Sequence, residues 1–252
     1  METVQKSVCK STILCIVLLT FAGSALAQAP ADVFALSLSR HGGESVRTVQ
    51  TVRLTGQTSS RGTKTDVVIS ADLDGFVRYD YGQPVTRSVI HTPKGEIEKS
   101  GDALRYRSRH VGLFAGLDLL SILGLRRLET AGTVWGEAKS ETESGRSVVK
   151  MRAETSQQSI QYGRVLKDAA DIRIDGRTGW VSSIERLQYA ANSLDLAFPV
   201  RYAFSDYREI GGLAFPFHIE KYVRDRLVEA LTITSLEVNP SVPRSVFDPS
   251  GR

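Results

Sequence analysis

The stretch Ser205–Val223, SDYREIGGLAFPFHIEKYV, decides the fold. Just before it, and running into it, Val200, Tyr202 and Phe204 alternate with Arg201, Ala203 and Ser205. After the glycines, Leu213, Phe215, Phe217 and Ile219 recur at every second position. A period of two is the signature of a half-buried strand, and a glycine pair between two such runs supplies the positive φ that a tight reversal needs. The stretch therefore predicts a hairpin whose second strand has one wholly apolar face. Pro216 falls on the other face. It has no N–H for an inner ladder, so it marks an edge, a bulge or a bend.

Working outward, the same rhythm recurs along the chain. Downstream, in LVEALTITSLEVNP (227–240), Leu231 and Ile233 share a face but Leu236 and Val238 fall on the other set, which predicts a bulge near Ser235. Upstream, strand-like runs are TVQTVRLTGQTS (48–59), TDVVISADL (65–73), FVRYDYG (76–82), VTRSVIHT (85–92), GEIEKSG (95–101) and ALRYRSRH (103–110). They continue with AGTVWGEAK (131–139), RSVVKMRA (146–153), DIRID (171–175) and SSIERLQY (182–189). The connectors carry turn chemistry: Asp74-Gly75, TPKG, SGD, ESGR and DGRTG. About 11–12 short strands joined by tight turns predict a mainly β, α+β chain: one large antiparallel curved sheet or unclosed barrel, with a sandwich as the competing architecture.

Two segments break the period of two. PADVFALSLSRHGGESVRTV (30–49) reads as a short N-terminal helix with Val33, Ala35, Leu36 and Leu38 on its face, ended by Gly42-Gly43. HVGLFAGLDLLSILGLRRLET (110–130) reads as a helix from about Gly112 to Leu125. Leu113, Leu117 and Leu120 share one side of it, and Phe114, Leu119, Ile122, Leu123 and Leu125 cover most of the rest. A helix apolar nearly all round must be buried. Two roles stay open: a plug filling the concave side of the sheet, or the wall of a cavity for a lipid-like ligand.

The ends and the composition bound the class. Lys6 and Lys10 precede the apolar run TILCIVLLTFAG and the small-residue site Ala25-Leu26-Ala27, the pattern of a signal peptide cleaved after Ala27. The expectation is a leader at 1–27, then one domain over 28–252, exported to the periplasm or beyond. Both cysteines, Cys9 and Cys15, lie in the leader, so the exported part folds without disulfides. A net charge of +4 among 32 basic and 28 acidic residues is too balanced for a nucleic-acid binder.

No catalytic constellation emerges from the sequence. The four histidines, at 41, 91, 110 and 218, share no metal-ligand spacing, so neither a metal nor a cofactor is expected. There is no G-x-S-x-G elbow and no phosphate-binding loop. The carboxylates Glu96/Glu98 and Glu141/Glu143 read as solvated strand edges. Arg105, Arg107 and Arg109 project to one side of their strand, either as a charged guard on an edge or as a grip for an anionic partner.

Taken together, YAFSDYREIGGLAFPFHIEKYV (202–223) and LEVNPSVPRSVFDP (236–249) resemble the C-terminal part of LolA-type lipoprotein carriers and their relatives. RHGGESVRTVQTVRLTGQTS (40–59) is similar to the helix, double glycine and first strand of such chains, and IRIDGRTGWVSSIE (172–185) to their central hairpin. The resemblance implies an unclosed antiparallel barrel, covered by helices, whose concave apolar side holds a lipid or an acylated protein without catalysis. On that reading the ligand contacts are Leu113, Phe114, Leu117, Leu120, Leu123, Phe215, Phe217 and Ile219. The arginine row would meet a membrane surface or an envelope protein. A protein-interaction or stress-sensing module with no lipid, and a hydrolase, are the alternatives.

Overall fold

A computed structural model describes residues 29–92, 95–107, 121–130, 132–161, 164–190 and 193–249. Two helices come first, α1 (Pro30–Arg40) and α2 (Glu44–Thr48). Six strands follow: β1 (Thr51–Ser60), β2 (Thr63–Asp72), β3 (Val77–Tyr81), β4 (Arg87–Thr92), β5 (Gly95–Ser100) and β6 (Ala103–Arg107). Helix α3 (Ser121–Thr130) leads to seven more: β7 (Thr133–Glu143), β8 (Arg146–Gln161), β9 (Arg164–Asp175), β10 (Val181–Ala190), β11 (Ser193–Ile210), β12 (Leu213–Val223) and β13 (Arg226–Val238). A 3-10 turn, Arg244–Phe247, lies in the C-terminal tail.

All 13 strands join one antiparallel sheet in the order β6-β5-β4-β3-β2-β1-β13-β12-β11-β10-β9-β8-β7. The sheet is two meanders, β1–β6 and β7–β13, joined where β1 pairs with β13. It is curved and unclosed, with β6 and β7 as its edges. The count of 13 exceeds the 11–12 strands expected, and each alternating run contributes to a strand over its described residues. Strands β8, β9 and β11 run further than their apolar cores, because cross-strand backbone pairing such as Gln161↔Arg164 carries the ladder beyond the last alternating residue.

The hairpin of β11 and β12 turns on Gly211 and Gly212, at φ +58° and +79°, with Ile210 opposite Leu213. Two positive φ values in a two-residue loop match the right-handed twist of the flanking strands. Pro216 is paired with Tyr207 of β11, whereas the ladder to β13 begins only at His218, so its missing N–H lies where β12 has one neighbour. The bulge foreseen near Ser235 is present: Thr55 pairs with Ser235 but Gly56 with Ile233. The extra residue turns Leu236 and Val238 to the same face as Ile233, where they pack on the core.

Two helix readings are corrected. In α1 the buried residues are Val33, Phe34, Ser37 and Leu38, while Leu36 is 48% exposed. The i, i+4 pair Phe34/Leu38 sets the inward stripe, and the Phe34 ring packs tilted against Trp135 with centroids 4.5 Å apart. The helix expected over 112–125 ends, as α3, at Thr130 and not at Leu125. Leu128 repeats the inward face of Leu125, and Arg126, Arg127 and Glu129 take the outer side. Residues 108–120, with most of the expected 112–125 helix, lie outside the described residues.

Candidate functional site

The face of the sheet that carries the core is apolar from β1 through β13 to β8. Leu54, Ile69, Ile233, Phe217, Ile219, Phe204, Ile184, Ile172 and Met151 belong to one buried cluster. Ile122, Leu123, Leu125 and Leu128 of α3 join it, each no more than 2% exposed, and α3 contacts β12 and β7. Of the ligand contacts expected from the sequence, Leu123, Phe215, Phe217 and Ile219 thus belong to one apolar cluster. Leu113, Phe114, Leu117 and Leu120 lie outside the described residues.

A histidine pins the helical end of this face. His41 is fully buried between α1 and the sheet. Its Nδ1–H donates to the Ala214 carbonyl at 3.1 Å, and its Nε2 accepts the Val181 N–H at 3.1 Å. Ala214 N–H in turn donates to the His41 carbonyl at 3.0 Å. Burial pushes the imidazole pKa down to about 4, opposed by the bond to Ala214. The neutral ring is the form these bonds require, since Nε2 must accept. Tyr207 lies beside it, its hydroxyl donating to the Val181 carbonyl at 2.6 Å and its ring stacked on Trp180 at 4.8 Å.

Towards β6 the same face becomes charged. The register carries it from Val77 to His91 and Glu96, and from Tyr79 through Val89 to Glu98. His91 Nδ1 is 3.5 Å from Glu96, and Arg87 donates to Glu98 at 2.8 Å. Tyr79 meets His91 edge-on at 5.4 Å, and Arg87 lies over the Tyr81 ring. Burial raises the Tyr81 hydroxyl pKa, and the charge of Glu229 adds to that. The expectation that Glu96 and Glu98 form a solvated edge is therefore corrected: Glu96 is 6% exposed. Ile97 takes the outer face, which by alternation turns its two neighbours inward. That signal was present in the sequence, but only the sheet register says which side is in.

The arginine row ends on this charged region. Arg105 stands opposite Glu98, and Arg107 opposite Glu96, on the edge strand β6. Arg109 lies outside the described residues. Among those described, no three His, Cys, Asp or Glu side chains gather as a metal site.

A second feature lies on the outer face, and sequence reasoning missed it. The tail crosses β1–β3 there as a strap. Asn239 Oδ1 accepts the Gln50 N–H at 2.7 Å, and Arg244 pairs with Asp72 at 2.6 Å while its guanidinium covers the Phe76 ring at 3.4 Å. Phe247, 5% exposed, faces Phe76 at 5.8 Å. Between strap and sheet runs a groove of about 530 Å³, floored by Arg53, Val68, Ser70, Arg78, Asp80 and Glu237 and walled by Pro240–Pro243 and Val246. The sequence carries only a local trace of it, the apolar Val246 and Phe247 within a proline-rich tail.

An antiparallel sheet left open, with helices against its apolar inner face, defines a half-barrel class of protein. Solved structures of that class match almost the whole chain. A domain from Vibrio parahaemolyticus described as outer-membrane lipoprotein-sorting has a TM-score of 0.58 at 11% identity, covering 89% of this chain and 98% of that one. A DUF1329 family protein from Desulfovibrio piger gives 0.56 at 10% identity, covering 88% and 98%. A LolA superfamily protein from Nitrosomonas europaea gives 0.54 at 9% identity, covering 86% and 96%. The chain has the LolA-like fold. No protein-family model matches it, and no curated protein matches its sequence.

Proposed function

We propose that this chain is an exported, non-enzymatic binding protein that holds a lipid, an acyl chain or a lipoprotein against the inner face of its open barrel. The observation that carries the reading is the junction of α3 with the sheet. Four apolar side chains of a short helix lie against a curved apolar face whose edges never meet. Helix and sheet are held there by side-chain burial rather than by a closed ladder, so an acyl chain can replace one apolar contact with another at little cost. The assigned contacts are Leu123, Phe215, Phe217 and Ile219, with Leu113, Phe114, Leu117 and Leu120 completing the set. The likeness in fold to a domain described as lipoprotein-sorting supports this choice. Export through a leader cleaved after Ala27, into the periplasm, belongs to the same proposal, as does Arg105–Arg107–Arg109 as a contact for an anionic membrane surface.

Native mass spectrometry of protein taken from its own cell envelope tests the proposal. The expected result is a bound hydrophobic mass that a fluorescent fatty acid displaces. An apo spectrum with no uptake of the fatty acid overturns it. A second reading, a protein-interaction or sensing module, is favoured by the edge of β7, which among the described residues pairs with β8 alone. Crosslinking in the envelope that captures a protein through β7, in an apo chain, is the outcome that selects it.

A further inference from the structure

The outer-face groove has a chemistry unlike that of the inner face. Its floor holds two guanidinium groups and two carboxylates, so its charge sums to zero, but the four are not equivalent. Arg78 is committed: its Nε donates to Asp80 at 2.8 Å, and its terminal nitrogens donate to the Val246 carbonyl at 2.8 Å and to Ser88. Arg53 and Glu237 stand directly opposite each other in the β1–β13 register, yet their side chains have no hydrogen bond or ion pair to each other or to any described residue. Ser70, next to Arg53 in register, is 8% exposed on the floor between the two arginines. The wall is mostly apolar, with Pro240, Val242, Pro243 and Val246 flanking Ser241, and Val68 adds an apolar patch to the floor. A volume of about 530 Å³ lies within the range of small-molecule sites.

We propose that this groove is a second binding site, taking a small zwitterion with an apolar side group, of the size of a dipeptide. The ligand carboxylate meets Arg53 and the Ser70 hydroxyl, its ammonium meets Glu237, and its side chains lie against the proline–valine wall. A phosphate dianion is disfavoured by the carboxylates of Asp80 and Glu237 on the same floor, and a bare acyl chain by the charges it would desolvate. The strap builds one wall, so the site exists only while Arg244 and Phe247 hold the tail down. Peptide recognition here is independent of what the inner face binds.

A titration of the isotope-labelled full chain with leucyl-leucine, followed by backbone amide shifts, tests this. The expected result is saturable shifts at Arg53, Val68 and Val246, with Kd at or below about 1 mM, an affinity of about 4 kcal/mol. Arg53→Ala and Glu237→Ala each weaken binding about tenfold or more, and so does blocking both ends of the peptide. Val242→Trp, which fills the groove without touching the charges, abolishes it. Each variant is read only after its amide spectrum shows the native fold. No saturable shift at about ten times that concentration, shifts that fall elsewhere, or equal binding of the doubly blocked peptide overturns the proposal.

Discussion

At the scale of single residues, His41 makes the sharpest prediction. Its folded pKa of about 4 lies below the ordinary value of 6.5, so the unfolded chain binds the extra proton between those values. Its contribution is therefore complete above pH 6.5 and is lost as pH falls towards 4. The full loss is about 3–4 kcal/mol at roughly 1.4 kcal/mol per pH unit. Urea melts of the protein and of His41→Gln across that window isolate the effect, because the carboxylates that also titrate are common to both. Identical pH slopes would sink the assignment. Gly42 is the second test. It has φ +131°, and a Cβ built there would sit 2.4 Å from the Gly212 carbonyl oxygen. Gly42→Ala should cost about 1–3 kcal/mol in the same melts. The glycine pairs 42–43 and 211–212, far apart in sequence, thus meet: the end of α1 rests on the β11–β12 turn, and His41 locks it there.

At the scale of elements, α3 and the tail make separable predictions. Leu128→Ala removes a side chain 2% exposed between α3 and the sheet, and should cost about 2–5 kcal/mol of global stability in denaturant melts. The tail is held on the outer face by fewer groups, so its release is local. Phe247→Ala should speed amide exchange at Val246 and Asp248, both of which donate backbone bonds within the 3-10 turn, by tenfold or more. Exchange in the β1 and β2 core should stay unchanged. A change in global stability without this local effect would show that the strap is part of the main cooperative unit. Asp72 serves both sides of this arrangement. It accepts from Phe76 N–H in the β2–β3 turn and pairs with Arg244, while burial raises its pKa.

At the scale of the whole molecule, the open sheet leaves the inner face dependent on what lies against it. If an acyl ligand occupies that face, stripping it lowers apparent stability by mass action. A ligand present at 100 times its Kd contributes about 2.7 kcal/mol. Delipidated protein should therefore melt lower and recover on addition of a fatty acid. Leu123→Arg, which puts a charge where α3 meets the sheet, should remove the recovery. A melting temperature indifferent to delipidation and to fatty acid counts against the lipid reading. The groove below the strap should not respond to either treatment.

The sequence by itself determined the strands. Alternation along Leu213–Ile219, paired glycines at 211–212 and Asp74-Gly75 are local signals, because side-chain direction and turn sterics act over two to four residues. The slip of parity at Ser235 even located a bulge. Tertiary structure alone decided what each face confronts. Glu96 and Glu98 alternate with Ile97 in a pattern that is the same with either side inward, and only pairing with His91 and Val89 turned the carboxylates to the inner face. The groove between the strap and Arg53–Glu237 was likewise illegible, since it joins residues almost two hundred positions apart. Such contacts are set by sheet register and by the burial of Phe247, both properties of the assembled chain rather than of any window along it.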